Sequence, residues 1–235
     1  FSVHGENTAD YPVFASIESG ESVVFTVGEL RNLIQHTVFS VSFDETKKFL
    51  NGILIKNSDR QLVFVATDGY RLSLKKSSMS SLEKDFEIIA PYKAVNELNK
   101  ILQGVADDQE IQMSISENQV AFKMNTLVLV SRVIQGQFPD YKQVIPASSE
   151  YLYNISKQEL LIAAERAAII ASSSNNVVKL MFEDNQLVMT ASAPGLGDFK
   201  ESLTMREGSC SHSAKIALNV RLILDVIKII DTDEV

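Results

Sequence analysis

The stretch GILIKNSDRQLVFVAT (residues 52–67) decides the fold. It reads as two strands of alternating apolar residues joined by a polar turn, and it has a counterpart in VKLMFEDNQLVMTAS (178–192), where Leu187 answers Leu62. The likeness extends outward in both directions. Upstream, VVFTVGELRNLIQHTVFSVS (23–42) and YLYNISKQELLIAAERAAIIAS (151–172) share a short strand followed by a helix-period segment, each helix opening near a Glu-Leu pair, Glu29-Leu30 and Glu159-Leu160. Downstream, APYKAVNELNKIL (90–102) aligns without gaps with LNVRLILDVIKII (218–230), so that Lys93 answers Arg221, Glu97 answers Asp225 and Lys100 answers Lys228. An offset of 125 to 130 residues that recurs in the same order marks two copies of one domain.

The first copy spans 23–146 and closes on Phe138-Pro139-Asp140-Tyr141 and a loop around Pro146; the second starts near 151 and runs to Val235. A similar closing phrase, Asp10-Tyr11-Pro12, makes residues 1–22 the expected tail of an earlier copy. Strands expected after the second helix of copy one, at 111–115, 119–124 and 126–133, have no counterpart in copy two, so the chain is expected to be cut at both ends. Hairpin turns rather than helical crossovers connect most strands. That pattern predicts an antiparallel α+β fold with two helices per copy on one sheet face.

With 235 residues and 45% apolar content, the chain can bury real cores, and its formal charge of -8 means that any polyanion must be met by a local cluster of cations. The single cysteine, Cys210, cannot close an internal disulfide, a composition compatible with a reducing compartment. His4, His36 and His212 lie far apart without metal-ligand spacing, so no metal or other cofactor is expected. Apolar runs such as 167–171 are far too short to span a bilayer, and no membrane association is expected. Catalysis would need a nucleophile, a base and an orienting group. Asp68 with Thr67, or Glu165 with Arg166, are nameable pairs, but nothing links them into a mechanism, and there is no Gly-rich phosphate loop or His/Cys cluster.

Two features carry more chemistry. In 90–102, Lys93, Asn96 and Lys100 fall at i, i+3 and i+7 on one helix face while Val95, Leu98 and Leu102 share the opposite one; Arg221 and Lys228 repeat the spacing with Leu224 between them. Such a face is either a solvated surface or a polyanion-facing one. Between Val63 and Val65 on one side and Leu72 and Leu74 on the other, which alternate as half-buried strands, stands Thr67-Asp68-Gly69-Tyr70-Arg71. Gly69 permits a tight reversal and Asp68 can accept from nearby amides, so the segment reads as a turn, and whether it is also a site stays open. Lys47-Lys48, just before the hairpin, reads as an exposed charged loop.

Three phrases, FLNGILI (49–55), VATDGYRLSL (65–74) and GQFPDYKQVIP (136–146), in this order and at this spacing, resemble the middle domain of the bacterial sliding clamp family, the beta subunit of DNA polymerase III. The resemblance covers almost the whole chain. It implies tandem clamp domains, with antiparallel sheets outside and two helices per domain lining the inner face of a ring built from a head-to-tail dimer of three-domain subunits. It implies no catalytic activity. The implied function is that of a processivity factor in the bacterial cytoplasm, which encircles duplex DNA without reading its sequence. Such a clamp tethers the replicative polymerase, the clamp loader and other proteins bearing clamp-binding motifs through a hydrophobic pocket between the second and third domains.

Carried over residue by residue, the resemblance assigns Leu50, Thr67, Gly69, Tyr70, Arg71, Leu72, Pro139, Gln143 and Val144 to the peptide pocket, with Gln143 standing where many relatives carry a basic residue. It assigns Lys47, Lys48, Lys93, Lys100, Arg221 and Lys228 to the DNA-facing side, and Tyr11, Ile169 and Ile170 to the contact between subunits. With the first domain represented only by residues 1–22, the chain is expected to be mostly monomeric. The alternative reading is a tandem-domain protein-binding scaffold without DNA contact, which the acidic charge suits.

Overall fold

The hairpin read from residues 52–67 reverses through the two-residue turn that right-handed strand twist selects: Asp59 and Arg60 both sit at positive φ, 53° and 61°. Asp184 and Asn185, at 50° and 61°, build the same turn in the second copy. The computed structural model describes residues 1–5, 7, 21–78, 84–149, 151–206 and 212–235. Its contacts divide the chain into two units, 1–139 and 140–235.

In the first unit the order is β1 (Glu21–Thr26), α1 (Val27–Gln35), β2 (Gly52–Ser58), β3 (Gln61–Thr67), β4 (Leu72–Lys76), β5 (Phe86–Pro91), α2 (Tyr92–Leu102), β6 (Glu110–Ile115), β7 (Gln119–Met124) and β8 (Leu127–Arg132). Two antiparallel sheets form, ordered β4-β3-β2-β5 and β8-β7-β6-β1. The unit is therefore two strand-helix-three-strand halves that exchange their first strands: β1 completes the sheet of the second half, with Thr26 opposite Glu110, and β5 completes that of the first, with Gly52 opposite Pro91. Neither half has a finished sheet without the other.

Both helices continue directly from an exchanged strand, and the same hydrogen bond fixes each junction. The first helical amide donates to the carbonyl just before the paired strand, Val27 N–H to Gln109 C=O at 2.8 Å and Tyr92 N–H to Asn51 C=O at 2.9 Å. Thr26 caps α1 by accepting from Glu29 N–H at 3.3 Å, the threonine-to-glutamate spacing of a capping box. The apolar face read from sequence in α2 is the packed one: Val95, Leu98 and Leu102 are fully buried, each contributing about 1.5–3 kcal/mol of burial free energy.

One expectation changes. β3 is not half-buried; Leu62 through Ala66 are all buried. Leu62, Phe64 and Ala66 join the main core with Ile53 and Ile55, whereas Val63 and Val65, with Leu54 and Ile89, point to the other face. The segment after β8 is attached at this sheet by Ile134 N–H donating to Ile89 C=O at 2.9 Å, and Phe138 further along it is buried. A strand buried on both faces reads as a continuous apolar run, which period-two counting mistakes for one-sided alternation.

The second unit repeats the plan from its first helix onward: α3 (Lys157–Ala171), β9 (Val177–Glu183), β10 (Gln186–Ala193), β11 (Gly197–Thr204), β12 (Ala214–Asn219) and α4 (Val220–Ile227), with sheet order β11-β10-β9-β12; the strand expected ahead of α3 is reduced to a single bridge, Ser156 with Glu234. The junction bonds recur, Lys157 N–H to Asp233 C=O at 2.9 Å and Val220 N–H to Asn176 C=O at 2.8 Å. The capping box recurs too, with Ser156 Oγ accepting from Glu159 N–H at 3.4 Å. Ala163, Ala164, Ala167 and Ala171 form the buried side of α3, so this helix packs through small side chains against β10 and β11.

Candidate functional site

The turn between β3 and β4 is held almost entirely by its own side chains. Asp68 Oδ1 accepts from Tyr70 N–H at 2.8 Å and Arg71 N–H at 3.0 Å, and Thr67 Oγ1 accepts from Gly69 N–H at 3.1 Å while donating to Arg71 C=O at 2.6 Å. Gly69 sits at φ +93°, which strains any residue with a Cβ. Arg71 closes the arrangement: its Nε lies 3.1 Å from Asp68 Oδ2, its Nη2 donates to Phe39 C=O at 2.5 Å, and its guanidinium lies 5.3 Å from the centre of the Phe39 ring. Both charges are mostly buried, so Arg71 helps to position the turn. The side chain displayed instead is Tyr70, 90% exposed.

Three distant stretches of the first unit approach this turn or one another. A Cβ placed on Gly69 would stand 3.8 Å from Lys47 Nζ, and one placed on Gly136 would stand 3.6 Å from Phe49 Cβ. Segments 47–50, 67–72 and 136–139 are thereby brought close, with Leu72 and Thr67 half-buried and Pro139 exposed. Leu50 is buried. In the second unit, Asp140 caps a short turn by accepting from Lys142 N–H at 3.2 Å and from Gln143 Nε2 at 2.9 Å, and the turn presents an exposed Val144. Sequence reasoning missed Lys47 at Gly69 and the Phe39 clamp on Arg71. Both are contacts across 22 or more residues that no periodicity encodes.

The cations assigned to DNA are all exposed: Lys47, Lys48, Lys93 and Lys100 on the first unit, Arg221 and Lys228 on the second. Lys100 lies 3.1 Å from Glu97 Oε2 and Lys228 lies 3.5 Å from Glu165 Oε1. Both pairs are solvent-exposed and worth at most about 1 kcal/mol, so a phosphate can displace the carboxylate. Of the residues assigned to the subunit contact, Ile169 is exposed on α3, Ile170 packs partly against the core of its own unit, and Tyr11 lies outside the described residues. Among the described residues there is no group of three or more His, Cys, Asp or Glu side chains able to hold a metal ion, and no helix long and apolar enough to cross a membrane.

A unit of two strand-helix-three-strand halves, followed by a unit that repeats the helix, the three strands and the next strand and helix, defines a DNA-clamp fold. A sliding clamp from Bacillus subtilis superposes with a TM-score of 0.91 at 29% identity, over 97% of this chain and 60% of that one. One from Bartonella birtlesii, solved bound to griselimycin, gives 0.88 at 29% identity over 97% and 61%. The sequence matches the family profiles for the DNA polymerase III beta subunit, central domain over 25–140 and C-terminal domain over 142–235. The chain belongs to the DNA polymerase III beta-subunit family. It is 30% identical over its whole length to the beta sliding clamp of Staphylococcus aureus and spans 62% of the length of that relative.

Proposed function

We propose that the chain forms the middle (23–146) and third (151–235) domains of a sliding clamp that encircles duplex DNA in the bacterial cytoplasm and tethers the replicative polymerase, clamp loader and other partners by short peptides. The activity is binding, without catalysis. The observation that carries this reading is the side-chain-braced Thr67–Leu72 turn, with Lys47 brought up to it and Gly136 packed against Phe49 of the same segment. A preformed surface spares a flexible peptide part of the ordering cost of docking its Leu and Phe side chains. Thr67, Gly69, Tyr70, Leu72 and Pro139 form its contact surface and Leu50 and Arg71 hold it; Gln143 and Val144 are the family's further peptide-binding positions. Lys47, expected to meet DNA, has its ammonium beside Gly69 and serves as the cation of this surface.

Lys48, Lys93, Lys100, Arg221 and Lys228 meet phosphates irrespective of sequence. Ile169, exposed on α3, and Ile170, which packs partly against the core of its own unit, belong to the face that meets a second subunit, as does Tyr11 by resemblance.

Titration of a fluorescent peptide carrying Leu and Phe tests the docking surface. Leu72→Asp should weaken binding by more than about tenfold, because docking would bury an unpaired carboxylate, whereas Lys93→Ala should leave it intact. Equal losses, or none at Leu72→Asp, would reduce the segment to a turn. The charge of -8 favours the scaffold without DNA contact as a second reading. Duplex binding whose log-log salt slope falls by about 0.9 for each phosphate-contacting lysine removed would exclude it.

A further inference from the structure

The loop entering the first hairpin displays an aromatic ring that the function above leaves unused. Phe43 is 71% exposed, yet its loop is tightly tied. Ser42 N–H donates to Leu50 C=O at 3.0 Å, and Asn51 Nδ2 donates to the carbonyls of Ser42 at 2.7 Å and Asp44 at 3.1 Å. Thr46 donates to Asp44 Oδ1 from both its amide, at 2.9 Å, and its hydroxyl, at 2.7 Å. The Phe43 ring meets that of Tyr92 edge to face, with centroids 4.8 Å apart and planes at 85°, and Tyr92 is itself anchored through its N–H to Asn51 C=O. The ring is thus held in place from two sides while most of its surface stays in water.

Cations occupy the same segments. Lys93 follows Tyr92 on the solvent side of α2 and Lys48 closes the loop, and neither has an acidic partner among the described residues. The loop also carries Asp44, whose carboxylate is engaged by Thr46, and an exposed Glu45. A fixed aromatic pair, with exposed lysines on the same loop and the same helix, matches the chemistry of an unstacked base and its neighbouring phosphates.

We propose that Phe43, seated on Tyr92, is a stacking platform for an unpaired base of single-stranded nucleic acid, with Lys48 and Lys93 taking the flanking phosphates. The proposal rests on the nucleic-acid reading of α2 and extends it from duplex phosphates to an exposed base. The chain contains no tryptophan, so Phe43→Trp installs a single indole reporter at the site. Its emission should be quenched by a short oligothymidylate and not by an abasic strand of the same length; equal quenching by both would mean phosphate contact alone and would overturn the platform. By anisotropy with labelled oligothymidylate, Phe43→Ala should lose about tenfold in affinity with an unchanged salt slope, while duplex affinity stays the same. An unchanged oligothymidylate affinity, or quenching by a Leu/Phe peptide in place of the oligonucleotide, also overturns it. Duplex binding without single-strand binding defeats this proposal and leaves the duplex reading standing; the reverse result defeats the duplex reading alone.

Discussion

The strand-helix junctions β5-α2 and β12-α4 have the same plan and the same junction hydrogen bond, yet they differ in burial. Ile88 on β5 is 8% exposed and its counterpart Ile216 on β12 is 49% exposed; Leu98 on α2 is fully buried and its counterpart Val226 on α4 is 39% exposed. In the first unit β8 packs against both β5 and α2, so a second sheet covers what the first leaves open. In the second unit the matching sheet is represented among the described residues by one pairing, Ser156 with Glu234, flanked by the reciprocal bonds of Ile155 and Val235. An amphipathic helix states which face wants burial; the exchanged sheet decides whether it is buried.

The largest effect should separate those two junctions. Leu98→Ala should destabilise the first unit by about 2–5 kcal/mol, since it empties a closed site, and Val226→Ala should cost the second unit about 1 kcal/mol or less. Urea denaturation of both variants checks this, and equal costs would mean that the two junctions are equally packed. A smaller contrast lies in the turns that end the matching hairpins. The first unit pins its turn with the Asp68–Arg71 pair, while the second uses Pro194-Gly195 with a backbone bond from Leu196 N–H to Ala193 C=O at 3.1 Å. Arg71→Ala should therefore cost about 1–3 kcal/mol by leaving Asp68 without its charged partner. Gly69→Ala and Gly195→Ala, at φ +93° and +80°, should cost about 1–2 kcal/mol each, the same backbone strain in both units.

The smallest effect concerns the Phe43 loop, for which pH is the probe. Hydrogen bonds from the Thr46 hydroxyl and amide hold the Asp44 carboxyl below its ordinary value of 3.8. A carboxylate whose pKa is lowered in the folded chain supports the loop above the ordinary value and loses that contribution as pH falls through the lowered one. The Thr46 amide resonance should accordingly keep its folded position below pH 3.8 and then move, and Thr46→Ala should shift the transition upward.

Much of this architecture is local, and for that reason the two hairpins and the α2 stripe are legible in the sequence. The Asp59-Arg60 and Asp184-Asn185 turns, the Thr26/Glu29 and Ser156/Glu159 caps and the Val95-Leu98-Leu102 stripe each depend on residues a few positions apart, and local sterics and hydrogen bonding specify them. Repetition at 125 to 130 residues carried the duplication, because the same packing problem was solved twice with the same pattern. Tertiary structure alone decided the exchange of β1 and β5, the two-sided burial of β3, the approach of Lys47 to Gly69 and the grip of Phe39 on Arg71. These join segments far apart in the chain, whose pairing follows from the global closure of two sheets and leaves no periodic trace in the residues themselves.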